Sequence, residues 1–135
     1  MNRLNQVALI CSLGMLAFVL SCGHPTQLQS LSVNPASATV GPLGAVLPVQ
    51  YTAYGTFIHP PSTVDVTKEV TWSSNIPDIA TVNSSGMVTP AGFACGTTLI
   101  TATAKKGLIG PGSSDVVVVA TSTFTVTDPN VTGCH

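Results

Sequence analysis

The side chains able to carry chemistry in this sequence are few and far apart. Four cysteines (Cys11, Cys22, Cys95, Cys134), three histidines (His24, His59, His135) and five carboxylates (Asp65, Glu69, Asp78, Asp115, Asp128) are the whole inventory. Covalent hydrolysis needs a nucleophile oriented by a base, and glycoside hydrolysis needs paired carboxylates. No G-x-S-x-G segment occurs, and beyond residue 21 the only serine close to a histidine is Ser62, beside His59. A triad assembled from distant positions stays open at this level. Cys134-His135 could start a metal site, but it lacks the second ligand doublet of structural zinc sites. The aspartates stand singly, without the D-x-D-x-D-G clustering that gathers several oxygens around calcium. Residues 107–112 are glycine-rich yet lack the Lys-Ser/Thr that completes a phosphate loop. The expectation is a non-enzyme with no metal, no cofactor and no small-molecule substrate.

Cys22 is the exception, because its neighbours specify what its thiol would do. Arg3 precedes a 14-residue apolar run, residues 7–20. That is shorter than the roughly 20 residues of a membrane span and suits the apolar region of a signal peptide. The run ends in Val19-Leu20-Ser21-Cys22. This resembles a bacterial lipobox, an aliphatic-x-small-Cys pattern after which the thiol receives diacylglycerol and the cysteine becomes the new N-terminus. Two other readings compete. Ordinary signal cleavage would have to use Ser21-Cys22-Gly23, a poor site, and an uncleaved anchor is disfavoured by the short run. On the lipobox reading, residues 1–21 are a lipoprotein signal peptide, 22–27 a lipidated tether and 28–135 the folded domain. Two or three acyl chains give stable anchoring where one binds reversibly. The protein would then be exported and lipid-anchored in the cell envelope. Gly23, not Asp, follows the cysteine, which in Gram-negative bacteria implies the outer membrane.

The elements that hold these residues are strands. The chain of 135 residues is 44% hydrophobic and only 7% charged, with a formal net charge of −1. An ordinary soluble domain carries about 25% charged residues. Four Lys+Arg cannot supply the cationic footprint of a nucleic-acid binder, and the hydropathy is too high for a disordered chain. Residues 22–135 contain 18 Thr and 11 Ser. Threonine and valine are stiff at χ1 and favour pleated surfaces over helices, and no long 3.6-residue apolar period follows Cys22. Alternation and turn residues mark strands at 28–33, 36–40, 47–57, 64–73, 79–83, 87–89, 97–104 and 115–127, with 58–63 and 105–114 as loops. Seven to eight short antiparallel strands imply an all-β, Ig-like β-sandwich.

At Trp72 the pattern becomes specific. Val70-Thr71-Trp72-Ser73-Ser74, Ile79-Ala80-Thr81-Val82 and Gly86-Met87-Val88-Thr89 follow in order, flanked by Leu31-Ser32-Val33-Asn34-Pro35 before and Thr123-Phe124-Thr125-Val126-Thr127 after. Their order and spacing resemble the bacterial Ig-like domain, group 2 (BIG2), over roughly residues 28–127. The signature residues are Trp72, Ile79, Val82, Gly86 and Val88. Trp72 would plug the interior with its indole N–H needing one acceptor, and Gly86 would sit where a tight hairpin demands φ > 0. Cys95 precedes the penultimate strand and Cys134 follows the last, so an antiparallel pairing of those strands brings them together as a disulfide, as an even cysteine pair in an exported protein suggests.

The resemblance implies a surface module acting as a spacer or contacting proteins or glycans. The expected role is non-enzymatic binding or adhesion near the membrane, the alternative being a structural subunit or spacer of an envelope complex. Sandwich function sits in loops. The contacts would come from Tyr54, Phe57, Ile58 and His59 in one loop region and from Lys105, Lys106, Leu108 and Ile109 in the other.

Overall fold

A computed structural model describes residues 27–58, 60–105 and 117–134. Among them ten strands occur: β1 (Gln27–Asn34), β2 (Ser37–Val40), β3 (Val49–Gln50), β4 (Thr52–Ile58), β5 (Ser62–Asp65), β6 (Val70–Ser74), β7 (Ala80–Val82), β8 (Met87–Pro90), β9 (Gly96–Ala104) and β10 (Val119–Val126). They form three sheets, ordered β1-β4-β5, β2-β10-β9-β6 and β3-β8-β7. The architecture is the expected all-β sandwich, with more strands than seven or eight and with one parallel pairing, β2 against β10.

The extra strands arise where a continuous alternation changes partner. Residues 47–57 read as one strand because side chains alternate throughout. In the fold β3 pairs with β8, while β4 pairs with β1 and β5. Tyr51 is the crossing point, its N–H donating to the Gly86 carbonyl at 2.8 Å. Period-two patterning reports which face a residue takes and is blind to which neighbour it bonds. Residues 64–73 divide in the same way into β5 and β6, separated by a turn at 67–69 in which Glu69 N donates to Val66 O at 2.8 Å. Val64, on the same alternation as Val66 and Val70, is nevertheless 45% exposed on the edge strand β5. The loop expected at 58–63 is shorter, since Ile58 closes β4 and Ser62 opens β5.

The core runs along the inner faces. Tyr51 and Phe124 are fully buried at its centre with ring centroids 6.4 Å apart, beside Ile79, Val88 and Ile100. Tyr51 keeps its hydroxyl satisfied by donating to Thr123 O at 3.1 Å. Burial pushes that phenol upward from its ordinary pKa, and a hydrogen bond with Ser122 partly opposes the shift. A second cluster gathers Ala53, Val66, Val70 and Ala102. A third joins Leu28 to Ala104, with Phe57 and Val118 against them. Trp72 is half-buried and packs against both of the first two clusters, so it bridges them and is not the central plug expected of it. Among the described residues, every buried side-chain nitrogen and oxygen has a hydrogen-bond partner.

Cys95 and Cys134 are bonded, with Cα atoms 5.6 Å apart and a sequence separation of 39. The antiparallel register of β9 and β10 places Gly96 opposite Val126, which brings the residues before one strand and after the other to the same end. The tail then folds on itself through Asp128 N to Cys134 O at 2.7 Å.

Candidate functional site

Among the described residues a concave surface lies at the seam where β3 hands over to β4. An open cleft of about 570 Å³ is bounded there by Gln50, Thr52 and Ser85 on one side and by the β5–β6 turn on the other. That turn contributes Asp65, Thr67, Lys68 and Glu69. Its sequence, Asp65-Val66-Thr67-Lys68-Glu69, dictates its shape. The Asp65 carboxylate accepts from Thr67 N at 2.9 Å, the Asx-type bond that lets aspartate start turns. The Thr67 hydroxyl in turn accepts from Ala53 N at 3.0 Å, tying the turn to β4. Hydrogen bonds from the Thr67 hydroxyl and N–H hold the Asp65 carboxyl below its ordinary pKa, with a smaller push from the Lys68 charge.

Two signature residues brace this cleft from behind. Trp72 donates its indole N–H to the Thr67 carbonyl at 2.9 Å, so the half-buried ring acts as a strut beneath the turn. Gly86 adopts φ +80°, and a Cβ there would collide with the Tyr51 carbonyl oxygen, so the residue lets the 83–86 turn lie flat against the seam. The Gln50 amide nitrogen ties β3 to the 83–86 turn by donating to Tyr51 O and to Ser85 O, both at 2.7 Å. Those two bonds fix the plane of the amide.

The residues expected to make contacts are placed differently. Tyr54 is exposed on β4, directly opposite Asp65 in the ladder and two residues from Thr52, so it borders the cleft. Phe57 lies on β4, half-buried and packed against the clusters that hold Leu28 and Ala53, so it sits in a strand beside the core and not in a contact loop. Ile58 is half-buried at the end of β4, paired with Gln27. Lys105 is exposed, its ammonium donating to Lys68 O at 3.3 Å. His59, Lys106, Leu108 and Ile109 lie outside the described residues, as do Cys22 and the whole leader. Among the described residues no three metal-ligating side chains converge.

Gln50, Asp65, Lys68, Glu69 and Ser85 were not singled out as contacts from sequence. A signal was present: in a chain with nine charged side chains, three fall within residues 65–69.

A model of the bacterial Ig-like domain (group 2) matches residues 28–110, on which Trp72, Gly86 and the 65–69 turn all lie. The chain belongs to this family. Ig-like group 2 membership agrees with the sandwich and with the signature positions at the seam. Among curated proteins, the chain is 39% identical over 105 residues to ice-binding protein 1 of Shewanella frigidimarina (strain NCIMB 400). The match covers 78% of this chain and 10% of that relative, so the chain corresponds to about a tenth of its length.

Proposed function

We propose that the protein is a lipid-anchored, non-enzymatic binding module of the bacterial cell envelope, held through Cys22 and contacting a protein or glycan partner near the membrane. Family membership supports a surface-associated, non-enzymatic module. The observation that carries the reading further is where β1 begins. Gln27 enters at the end of the sandwich where it pairs with Ile58 and where Leu28 packs against Ala104. Four residues, 23–26, separate that end from Cys22. Fully extended, the link reaches about 17 Å. A body so tethered turns its Gln27 end to the bilayer and its disulfide-bonded end outward. The β4–β5 hairpin tip and Lys105 then stand beside the headgroups, and the flank with the seam cleft remains open to a partner. Ice binding belongs to the name of the Shewanella relative, nine-tenths of which lies outside the match, and is no part of this proposal.

The test is fractionation of the full chain expressed in a bacterial host fed an alkyne fatty acid. Wild-type protein is expected in membranes and labelled, and Cys22→Ala soluble and unlabelled. Cys22→Ala retained in membranes without label would overturn the anchor.

A further inference from the structure

We infer that the seam cleft is a saccharide site that takes an uncharged, hydroxyl-rich glycan chain, with Tyr54 as its stacking platform and Asp65, Glu69 and Gln50 as its acceptors. The inference rests on the reading of the chain as an envelope binding module and names the surface and the ligand class.

The cleft volume of about 570 Å³ falls in the range of ligand sites, and its openness along the flank suits a segment of polymer. Sugar hydroxyls donate and accept at fixed spacings, so a site for them needs immobile acceptors with a few donors between. Asp65 has one carboxylate oxygen committed to Thr67 N and is held further by the Thr67 hydroxyl, while the residue itself stays exposed. Gln50 has its amide nitrogen committed twice, which fixes the plane in which its oxygen lies. Glu69 adds a second carboxylate, and Lys68 and Thr52 add donors. Hydrogen bonds to ionised groups are the stronger kind, and groups already locked in place lose little entropy on binding. Tyr54 stands across the ladder from Asp65, with Cβ atoms about 5 Å apart as such pairs are. Its ring offers a flat apolar surface to the C–H face of a pyranose while the hydroxyl stays wet.

Charge and shape narrow the ligand. Asp65 and Glu69 are balanced by Lys68 and by Lys105, whose ammonium reaches the Lys68 carbonyl, so the cleft has no excess cation to draw a polyanion. A protein partner would need a buried apolar or aromatic pocket at the centre of its contact, and every residue lining the cleft is polar. Two carboxylates are also too few to hold calcium alone.

The experiment uses the full lipidated chain in detergent micelles and measures affinity for dextran, mannan and galactan as neutral probes, with alginate and polygalacturonate as anionic ones. Binding to at least one neutral polysaccharide and none to the anionic pair is expected. Tyr54→Ala and the pair Asp65→Asn, Glu69→Gln should each weaken that binding at least tenfold, with an unchanged near-UV spectrum, and Thr101→Lys on the opposite sheet should leave it unchanged. Retention by no neutral polysaccharide, or preference for the anionic ones, would overturn the inference. Neutral binding undiminished in the cleft variants would overturn the cleft while leaving the module reading intact. Cleft binding by a wild-type chain that fractionates as soluble would uphold the cleft and overturn the anchor.

Discussion

The outer face of the four-stranded sheet and the seam cleft are built from the same polar vocabulary and do opposite things. On β2, β10, β9 and β6 the outward positions are Ser37, Thr39, Thr71, Ser73, Thr97, Leu99, Thr101, Thr103, Val119, Thr121, Thr123 and Thr125, none of them charged. Register lines these hydroxyls up across strands, as in Thr97 and Thr125, whose oxygens are 2.9 Å apart. At the seam, by contrast, three charged side chains fall within residues 65–69, where Asp65 is bonded to Thr67 N and the Thr67 hydroxyl ties the turn to β4. The difference teaches how a chain with little charge spends it. Rigid, β-branched hydroxyls keep a flat sheet wet without offering a charged handle. Charge is concentrated where concavity and converging backbone give it a fixed geometry.

Breaking the sheet should cost most. Phe124→Ala removes the fully buried ring beneath the threonine face and should destabilise the fold by about 3–5 kcal/mol, read from denaturant midpoints. Reducing the Cys95–Cys134 bridge, or replacing both by serine, should cost about 4 kcal/mol by the loop-closure estimate. A loss under about 1 kcal/mol would mean that the β9–β10 ladder holds the tail unaided. Gly86→Ala reaches the seam alone: φ +80° and the collision with Tyr51 O predict about 1–3 kcal/mol. On the inferred glycan role of the cleft, its distinguishing mark is loss of that binding even at temperatures where the fold persists.

The smallest effects sharpen the contrast. Thr101→Lys should change stability by no more than about 0.5 kcal/mol, since this half-buried outward position on β9 lets a long side chain run along the sheet and reach solvent. Asp65 predicts a pH signature. Its folded pKa is depressed, so its contribution is fully present above the unfolded value, 3.8, and is lost as pH falls below that point through the folded value. Asp65→Asn should flatten this part of the acid limb slightly, because the carboxylate is solvent-exposed.

Much of this molecule is legible in its sequence because alternation and turn chemistry are local. The inner row Ile100, Ala102, Ala104 and the outer row Thr97, Leu99, Thr101, Thr103 are read directly from period two. The cysteine pair is legible because Cys95 and Cys134 flank consecutive strands that meet as a hairpin. Trp72 and Gly86 are legible as a signature, but not as the strut and the flat turn they become.

What the sequence determined by itself is the face each residue takes, the strand-rich class, the family and the partner of each folded-domain cysteine. Only the tertiary structure decided that residues 47–57 serve two sheets, that β2 lies parallel to β10, and that Gln50, Asp65, Glu69 and Ser85 share one cleft. The physical reason is that side-chain periodicity is set by the backbone of one strand. Partner choice and concavity depend on hydrogen bonds between segments, such as those from Tyr51 N to Gly86 O and from Gln50 to Ser85 O, that no local pattern encodes.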